Sequence, residues 1–544
     1  MTPAANRTDL TVADLDALPG APAPDLPGGG SFRSLLYGGV EADTRVEEAP
    51  EPEFFADLHL DQIVAAITAK RSAYALVPFF RTAPSELDTV RYRQEIFEDL
   101  ERPEVRELAI AFAKQEVVAR HQSQRRAMQA QRGDFGHYHR ARVFLNTVLA
   151  YCGALERLAA DLDTARVRSR GLMALRDYLA GYLAADPYRA LRDEARELDA
   201  ELDQVRYTFL ISGARITVGP YDDAQPDYSA QISATFERFR QGDGKSYLPK
   251  FDPWETYSAI GVLRLVAQLY PKLFSRLDDF WRSHADYLDH TVAVCDRELQ
   301  FYLGYLDFIQ PLREAGLHFS YPRLSGEQKG LQALDTFDLA LAAQRVGQHA
   351  EVVFNDVRLE GPERILVITG PNNGGKTTFA RNIGQLHHLA RLGCPVAGRD
   401  TRLFVCDQIF TRFERREDST TLQGKLQDEL RRLRDALEAA TPSSLFILNE
   451  MFNSTTAQDA LLLSRGILGQ VEALDALCVC VTFLDELASF NDKTVSMVAG
   501  VDPADPAVRT HRITRRPADG RAYARALAEK YGLTYEQLSG GGRR

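Results

Sequence analysis

Residues 370–377 read Gly-Pro-Asn-Asn-Gly-Gly-Lys-Thr, the spacing G-x-x-x-x-G-K-T. Glycines at these places let backbone N–H groups come close to an anion, because no Cβ stands in the way. Lysine then offers a point charge to the β/γ-phosphates, and the threonine hydroxyl offers a ligand to Mg²⁺. The candidate ATP-binding set is Gly370, Pro371, Asn372, Asn373, Gly374, Gly375, Lys376, Thr377 and Thr378. A second group lies at 445–450, Leu-Phe-Ile-Leu-Asn-Glu, an apolar run ending in polar residues. In a P-loop ATPase such a strand is expected beside the P-loop strand, with an Asp for Mg²⁺ and a Glu that polarises water. Glu450 stands in the second place and is, with Lys376, a catalytic candidate. Asn449 stands in the first; its amide oxygen can accept from a metal-bound water but brings no negative charge.

These groups need a strand, a turn and a helix to hold them. The β-branched run 365–368 predicts a buried strand before the turn, and 376–392 predicts a helix whose positive end faces the phosphates. Around them, strands are predicted at 351–354, 364–369, 402–406, 445–448 and 478–482, and helices at 376–392, 423–440, 457–474 and 518–531. That alternation predicts an α/β domain over 331–544.

The upstream chain has a different character. Residues 1–50 are rich in Ala, Pro, Asp and Gly and are expected to form a disordered tail. Residues 51–330 read as mainly helical, with 87–100 placing Leu87, Val90, Phe97 and Leu100 near one face. Residues 207–219 predict a hairpin around Ser212-Gly213, within a β-containing excursion at about 205–250. The break expected in the helices lies at 132–136, and Pro271 and Pro311 punctuate the later ones. Residues 114–142 concentrate Lys114, Arg120, Arg125, Arg126, Arg132, Arg140 and Arg142, with His121, His137 and His139, against only Glu116 and Asp134. A solvated helix face explains such a run, and so does contact with a DNA backbone. DNA-backbone candidates are Arg120, Arg125, Arg126, Arg132, Arg140 and Arg142.

A net charge of −11 argues against nucleic-acid binding over the whole surface and leaves room for a local basic face. Mean hydropathy is −0.27, and no stretch approaches the ~18 consecutive apolar residues of a membrane span. The first thirty residues lack a basic start with an apolar core, so a cytoplasmic protein with no membrane association is expected. The six cysteines show no CxxC pairing and are expected as buried thiols; Cys478 and Cys480 should face one side of a strand.

Gly370 to Thr378 resembles the P-loop of the MutS family of DNA mismatch repair ATPases. Asn355-Asp356 is similar to that family's strand before the P-loop, and Asp407-Gln-Ile-Phe-Thr-Arg412 to its segment after the third strand. Asn449 to Asp459 sits over its Asp-Glu…Gly-Thr…Asp run, with Glu450, Thr455 and Asp459 in register. Residues 523–533 resemble its closing helix. The looser match upstream implies a helical core and lever region with a small clamp-like β insertion, ahead of an ABC-type P-loop ATPase domain. The resemblance also implies ATP and Mg²⁺ as cofactors, DNA as partner, and a homodimer with composite nucleotide sites.

Three departures qualify this. Room for the family's N-terminal mismatch domain is not expected, and no Phe-x-Glu wedge is found near the N-terminus. The signature segment, at 422–430, has no hydroxyl in the matching place, although Ser419, Thr420 and Thr421 are close; these three and Asp459 are the dimer-interface candidates. The family's Thr-His reads Thr482-Phe483. The sequence therefore predicts a MutS-like ATP-dependent DNA-binding protein, serving either mismatch repair, with recognition supplied by partner proteins, or branched DNA. The alternatives are an ATP-gated clamp that hydrolyses little, or an ATPase acting on protein or ribonucleoprotein.

Overall fold

The computed structural model describes residues 32–38, 49–118, 120–121, 123, 136–212, 215–221, 257–413, 424–505 and 508–518. The first half is helical: α1 (Phe54–Asp57), α2 (Leu60–Thr68), α3 (Val77–Arg81), α4 (Leu87–Leu100), α5 (Pro103–Ala113), α6 (His137–Thr164), α7 (Arg170–Ala184) and α8 (Asp186–Asp203). A hairpin of β1 (Tyr207–Ser212) and β2 (Arg215–Pro220) follows, then α9 (Tyr257–Leu269), α10 (Pro271–Ser283) and α11 (His290–Glu314). The helices form because apolar residues recur at helical spacing. In α8, Leu191, Ala195, Leu198 and Leu202 are buried on one stripe of an otherwise charged helix. α11 is buried almost all round and centres the bundle. Its Phe301 and Tyr302 meet Phe80 and Phe97, with ring centroids 4.6 and 4.7 Å apart. Helix α6 is long and apolar enough to cross a membrane by length and composition alone. Its Phe144, Leu145, Val148 and Leu155 are instead packed into this bundle.

The expected hairpin is present, antiparallel, with Tyr207 opposite Pro220 and Ser212 opposite Arg215. Its turn, and the clamp-like excursion from 222 to about 250, lie outside the described residues. Most of the break expected at 132–136 does too, and α6 begins directly after it, behind Gly136 in a left-handed conformation.

The reading of residues 1–50 as a disordered tail needs correction at 32–38. Within that Pro/Gly-rich stretch, Phe32, Leu35, Leu36 and Tyr37 are buried in the bundle core. The Glu298 carboxylate accepts from Ser34 Oγ at 2.7 Å and from the Leu35 N–H at 2.6 Å. Tyr302 donates its hydroxyl to the Leu35 carbonyl, and Arg93 Nε donates to that of Leu36. Average composition hid this strap, because a few apolar residues suffice when they have a prepared groove and paired backbone groups.

The second half opens with short strands upstream of the boundary expected at 330: β3 (Phe319–Ser320) and β4 (Arg323–Ser325), then β5 (Leu331–Thr336). Helix α12 (Leu339–Gly347) precedes β6 (Asn355–Leu359), β7 (Ile365–Thr369), α13 (Lys376–Arg391), β8 (Val396–Ala397), β9 (Arg399–Phe404) and β10 (Ile409–Arg412). Then come α14 (Lys425–Ala439), β11 (Leu445–Asn449), α15 (Ala457–Ala473), β12 (Leu477–Val481), β13 (Thr494–Val501) and β14 (Arg509–Arg515).

The main sheet runs β10-β11-β12-β7-β13-β14, parallel except for β14. A smaller sheet, β4-β9-β5-β6, stands beside it. β7 and β12 are buried at every position, as strands covered on both faces should be. Leu366, Ile368, Val479 and Val481 pack toward α13 with Phe379 and Ile383, while Ile365, Val367, Cys478 and Cys480 join Leu468 of α15 on the other face. The two cysteines therefore share a face, and all six are buried free thiols.

Three expectations about this half change. Residues 351–354 are not a strand; the strand starts at Asn355. The strand placed at 402–406 runs from Arg399 to Phe404. β11 does not lie beside the P-loop strand, because β12 is hydrogen-bonded between them. The helix expected at 518–531 lies outside the described residues but for its first position.

Candidate nucleotide site

The glycine turn, Lys376, Thr377, Asn449 and Glu450 gather past the carboxyl ends of the parallel strands. β7 ends at Thr369, the chain turns through 370–375, and α13 begins at Lys376. The turn needs glycine: Gly370 has φ +116° and Gly375 has φ +91°. A Cβ on Gly370 would also stand 3.0 Å from the Ala499 carbonyl of β13. Asn373 takes φ +58° as a non-glycine residue, a conformation asparagine tolerates better than most.

Lys376 is 4% exposed and folds back over the turn, donating from Nζ to the Gly370 carbonyl at 2.9 Å and the Pro371 carbonyl at 3.2 Å. Burial lowers its pKa; the Glu450 charge opposes that shift and the Arg509 charge adds to it. Thr377 Oγ1 donates to Asn449 Oδ1 at 2.9 Å. The hydroxyl and the amide oxygen thus sit together where a Mg²⁺ ion beside the phosphates would need them. The pair fits a hydrated cation, with Thr377 as ligand and Asn449 as acceptor from a bound water, and contributes no charge.

Glu450 follows β11 directly, with φ +53° and its N–H donated to the Val481 carbonyl at 2.8 Å. Its carboxylate and Lys376 line the same cavity, whose volume is about 550 Å³. That is ample for a nucleoside triphosphate.

A further part of the cavity lining was not read from the sequence. This part of the lining includes Phe337, Leu341, Arg345, Val352 and Val353, and His511 lies against the glycine turn, its Cβ 3.6 Å from where a Cβ on Gly375 would stand. α12, which carries Leu341 and Arg345, is capped by Asp338, which accepts from the Leu341 N–H at 2.8 Å. An acidic cap before Leu-x-Leu was the available signal. His511 is carried in by β14. Asn355, singled out in the sequence, pins that strand: its Oδ1 accepts from the Ile513 N–H at 2.6 Å and its Nδ2 donates to the His511 carbonyl at 3.3 Å.

The remaining candidates scatter. Asp459 is in the first turn of α15, where its N–H donates to Thr456 Oγ1 and its carboxylate accepts from the same hydroxyl at 2.8 Å. Ser419, Thr420 and Thr421 lie outside the described residues, as do Arg125, Arg126 and Arg132. Arg120 is exposed and Arg140 half-buried. Arg142 turns inward to Asp199 at 2.5 Å and Asp203 at 3.6 Å, and His137 pairs with Asp278. Phe483, where the family has histidine, is 48% exposed just past β12.

Residues 366–529 match the family model of MutS domain V. Among curated proteins, the DNA mismatch repair protein MutS of Shouchella clausii (strain KSM-K16) is 32% identical over 195 residues, 35% of this chain and 22% of the relative. MutS of Staphylococcus aureus (strain MRSA252) is 27% identical over 286 residues, 52% of this chain and 31% of the relative. MutS of Chloroflexus aurantiacus (strain ATCC 29366 / DSM 635 / J-10-fl) is 27% identical over 294 residues, 51% and 28% respectively. The chain spans less than a third of the length of these relatives. Through the domain that carries the P-loop, the chain belongs to the MutS family.

Proposed function

We propose that this protein binds ATP with Mg²⁺ and hydrolyses it to change its grip on DNA, working as a homodimer in the cytoplasm. The observation that carries the reading is one cavity lined both by the glycine turn, Lys376 and Glu450 and by the apolar Phe337, Leu341 and Val353. The glycine turn with its lysine suits a triphosphate, and the apolar lining suits a flat base.

On ATP binding, Lys376 would exchange its carbonyl partners for β/γ-phosphate oxygens. Backbone N–H groups of the turn and the amino end of α13 would hold the anion. Mg²⁺ would neutralise phosphate charge from beside Thr377. Glu450 would orient a water in line with the γ-phosphate and take its proton as the phosphate leaves. DNA would be held by phosphate contacts from the basic face that includes Arg120, without Arg142, which is committed to Asp199. Mismatch repair or branched-DNA processing, with repair proteins as partners, is the physiological setting this reading supports.

The test is a binding panel of duplex, mismatched, branched and single-stranded DNA, with and without ATP, over a salt series. Binding should weaken steeply with salt and change with ATP. A salt-independent affinity, or none for any form, removes the DNA claim.

A second reading is an ATP-gated clamp with little turnover. The uncharged Thr377–Asn449 pair favours it. Nucleotide binding with no phosphate release, unchanged in Glu450→Gln, would decide for it.

A further inference from the structure

Glu450 occupies a conformation that its own sequence does not favour. It and Phe452 both have positive φ, +53° and +58°, and neither is glycine. Left-handed conformations at such side chains persist only where the surroundings over-determine them. The Val481 carbonyl fixes the Glu450 N–H. Met451 and Phe452 are buried at 4% and 0% exposure. The remaining restraint comes from another element. Glu429 of α14 accepts from the Phe452 N–H at 3.2 Å through Oε1.

That carboxylate is unusual for its place. Its side chain is 4% exposed, and Arg412, at the end of β10, brings Nε within 3.5 Å of the same oxygen. The Arg412 side chain is itself only 14% exposed. A charge is buried here, on the helix whose Leu433 joins Leu448 and Leu468 in an apolar cluster, only at a desolvation cost. An ordinary helix-to-sheet contact would be served by another leucine. What a leucine cannot supply is an acceptor for the Phe452 N–H, two residues past Glu450.

We propose that Glu429, ion-paired with Arg412, is a positioning residue that fixes the loop bearing Glu450 and so sets where its carboxylate meets the nucleotide. This rests on the reading of Glu450 as the group that handles water. Without the Glu429 acceptor, Phe452 is free to leave its left-handed conformation and the Glu450 carboxylate withdraws from the line of attack. The P-loop and the apolar lining are untouched, so nucleotide affinity stays.

The test compares ATP turnover, nucleotide affinity and amide exchange at 449–456 in the full chain. The variants are Glu429→Ala, Glu429→Gln, and the pair Glu429→Leu with Arg412→Met, which keeps an apolar seam free of unpaired charge. Glu429→Ala and the Leu/Met pair should lower kcat at least about tenfold, since misplacing a reacting group by about 1 Å costs up to about a hundredfold. The ATP dissociation constant should move less than about threefold. Glu429→Gln, whose amide oxygen still accepts, should retain most of the turnover. Exchange at Phe452 should speed up in the first two and not in Glu429→Gln. Adding Glu429→Ala to Glu450→Gln should cost nothing further. Wild-type turnover in the Leu/Met pair, or unchanged exchange at Phe452, overturns the inference. Wild-type protein without any turnover overturns the hydrolytic reading instead, and the exchange result still decides whether Glu429 holds the loop.

Discussion

Two strand ends meet at the candidate nucleotide cavity, and they reach their shapes by opposite means. Past β7, the chain turns on Gly370 and Gly375, whose positive φ is intrinsic to glycine. The lysine that follows is held by carbonyls of the same turn. Past β11, the chain turns on Glu450 and Phe452, each at a cost of about 1–3 kcal/mol in a left-handed conformation. Contacts from β12 and α14 hold it there. The first end is prepared locally and tolerates change around it. The second is held at a distance, so substitutions far from the phosphates should reach it.

The largest expected effect falls on the second end. Glu450→Gln should leave ATP binding intact and cut phosphate release by about 10²–10⁴, the usual contribution of a general base. An equal loss of binding would mean that this end also holds the nucleotide, and the contrast would collapse. The helix behind the first end offers the next test. His387 and His388 of α13 are fully buried, and burial lowers both pKa values to about 4. Their neutral forms belong to the fold, so the unfolded chain binds protons first as pH falls below about 6.5. Stability is present above that value and lost toward pH 4, by up to about 3 kcal/mol per histidine. Urea midpoints at pH 7.5 and 4.5 should show the loss, and His388→Gln should remove part of the slope.

Lys376→Ala should weaken ATP binding about a hundredfold, from the loss of a charge-assisted contact worth about 3 kcal/mol. If binding survived, the glycine turn and helix end alone would suffice. The smallest effect is expected at the bridge between the two ends. Asn449→Asp keeps an acceptor for Thr377 and adds a carboxylate, so the Mg²⁺ needed for half-maximal turnover should fall severalfold. No change would show that the cation takes no support from β11.

The same contrast explains what the sequence disclosed. The P-loop was legible because its geometry is written in consecutive residues, and β7 and β12 were legible as unbroken apolar runs. Cys478 and Cys480 were placed on one face by strand period alone. The order of strands was not legible: inserting β12 between β7 and β11 depends on pairing across more than a hundred residues of chain. The rest of the cavity lining escaped for the same reason, since Phe337 and His511 come from opposite ends of the domain. The strap at 32–38 escaped because its apolar residues are too few to stand out against proline and glycine.

That strap also constrains the order of events during synthesis. Its Ser34 hydroxyl and Leu35 N–H bond to Glu298, 264 and 263 residues downstream. Closing a loop of that size is costly before other contacts exist to reward it. The bundle therefore stays open at its first segment until its last helix has left the ribosome. Tyr305 of that helix in turn donates its hydroxyl to the Pro395 carbonyl beyond α13. The helix that seals the strap is also a docking face for the half that carries the P-loop, so the segment at 32–38 and the P-loop cavity share one late-arriving support.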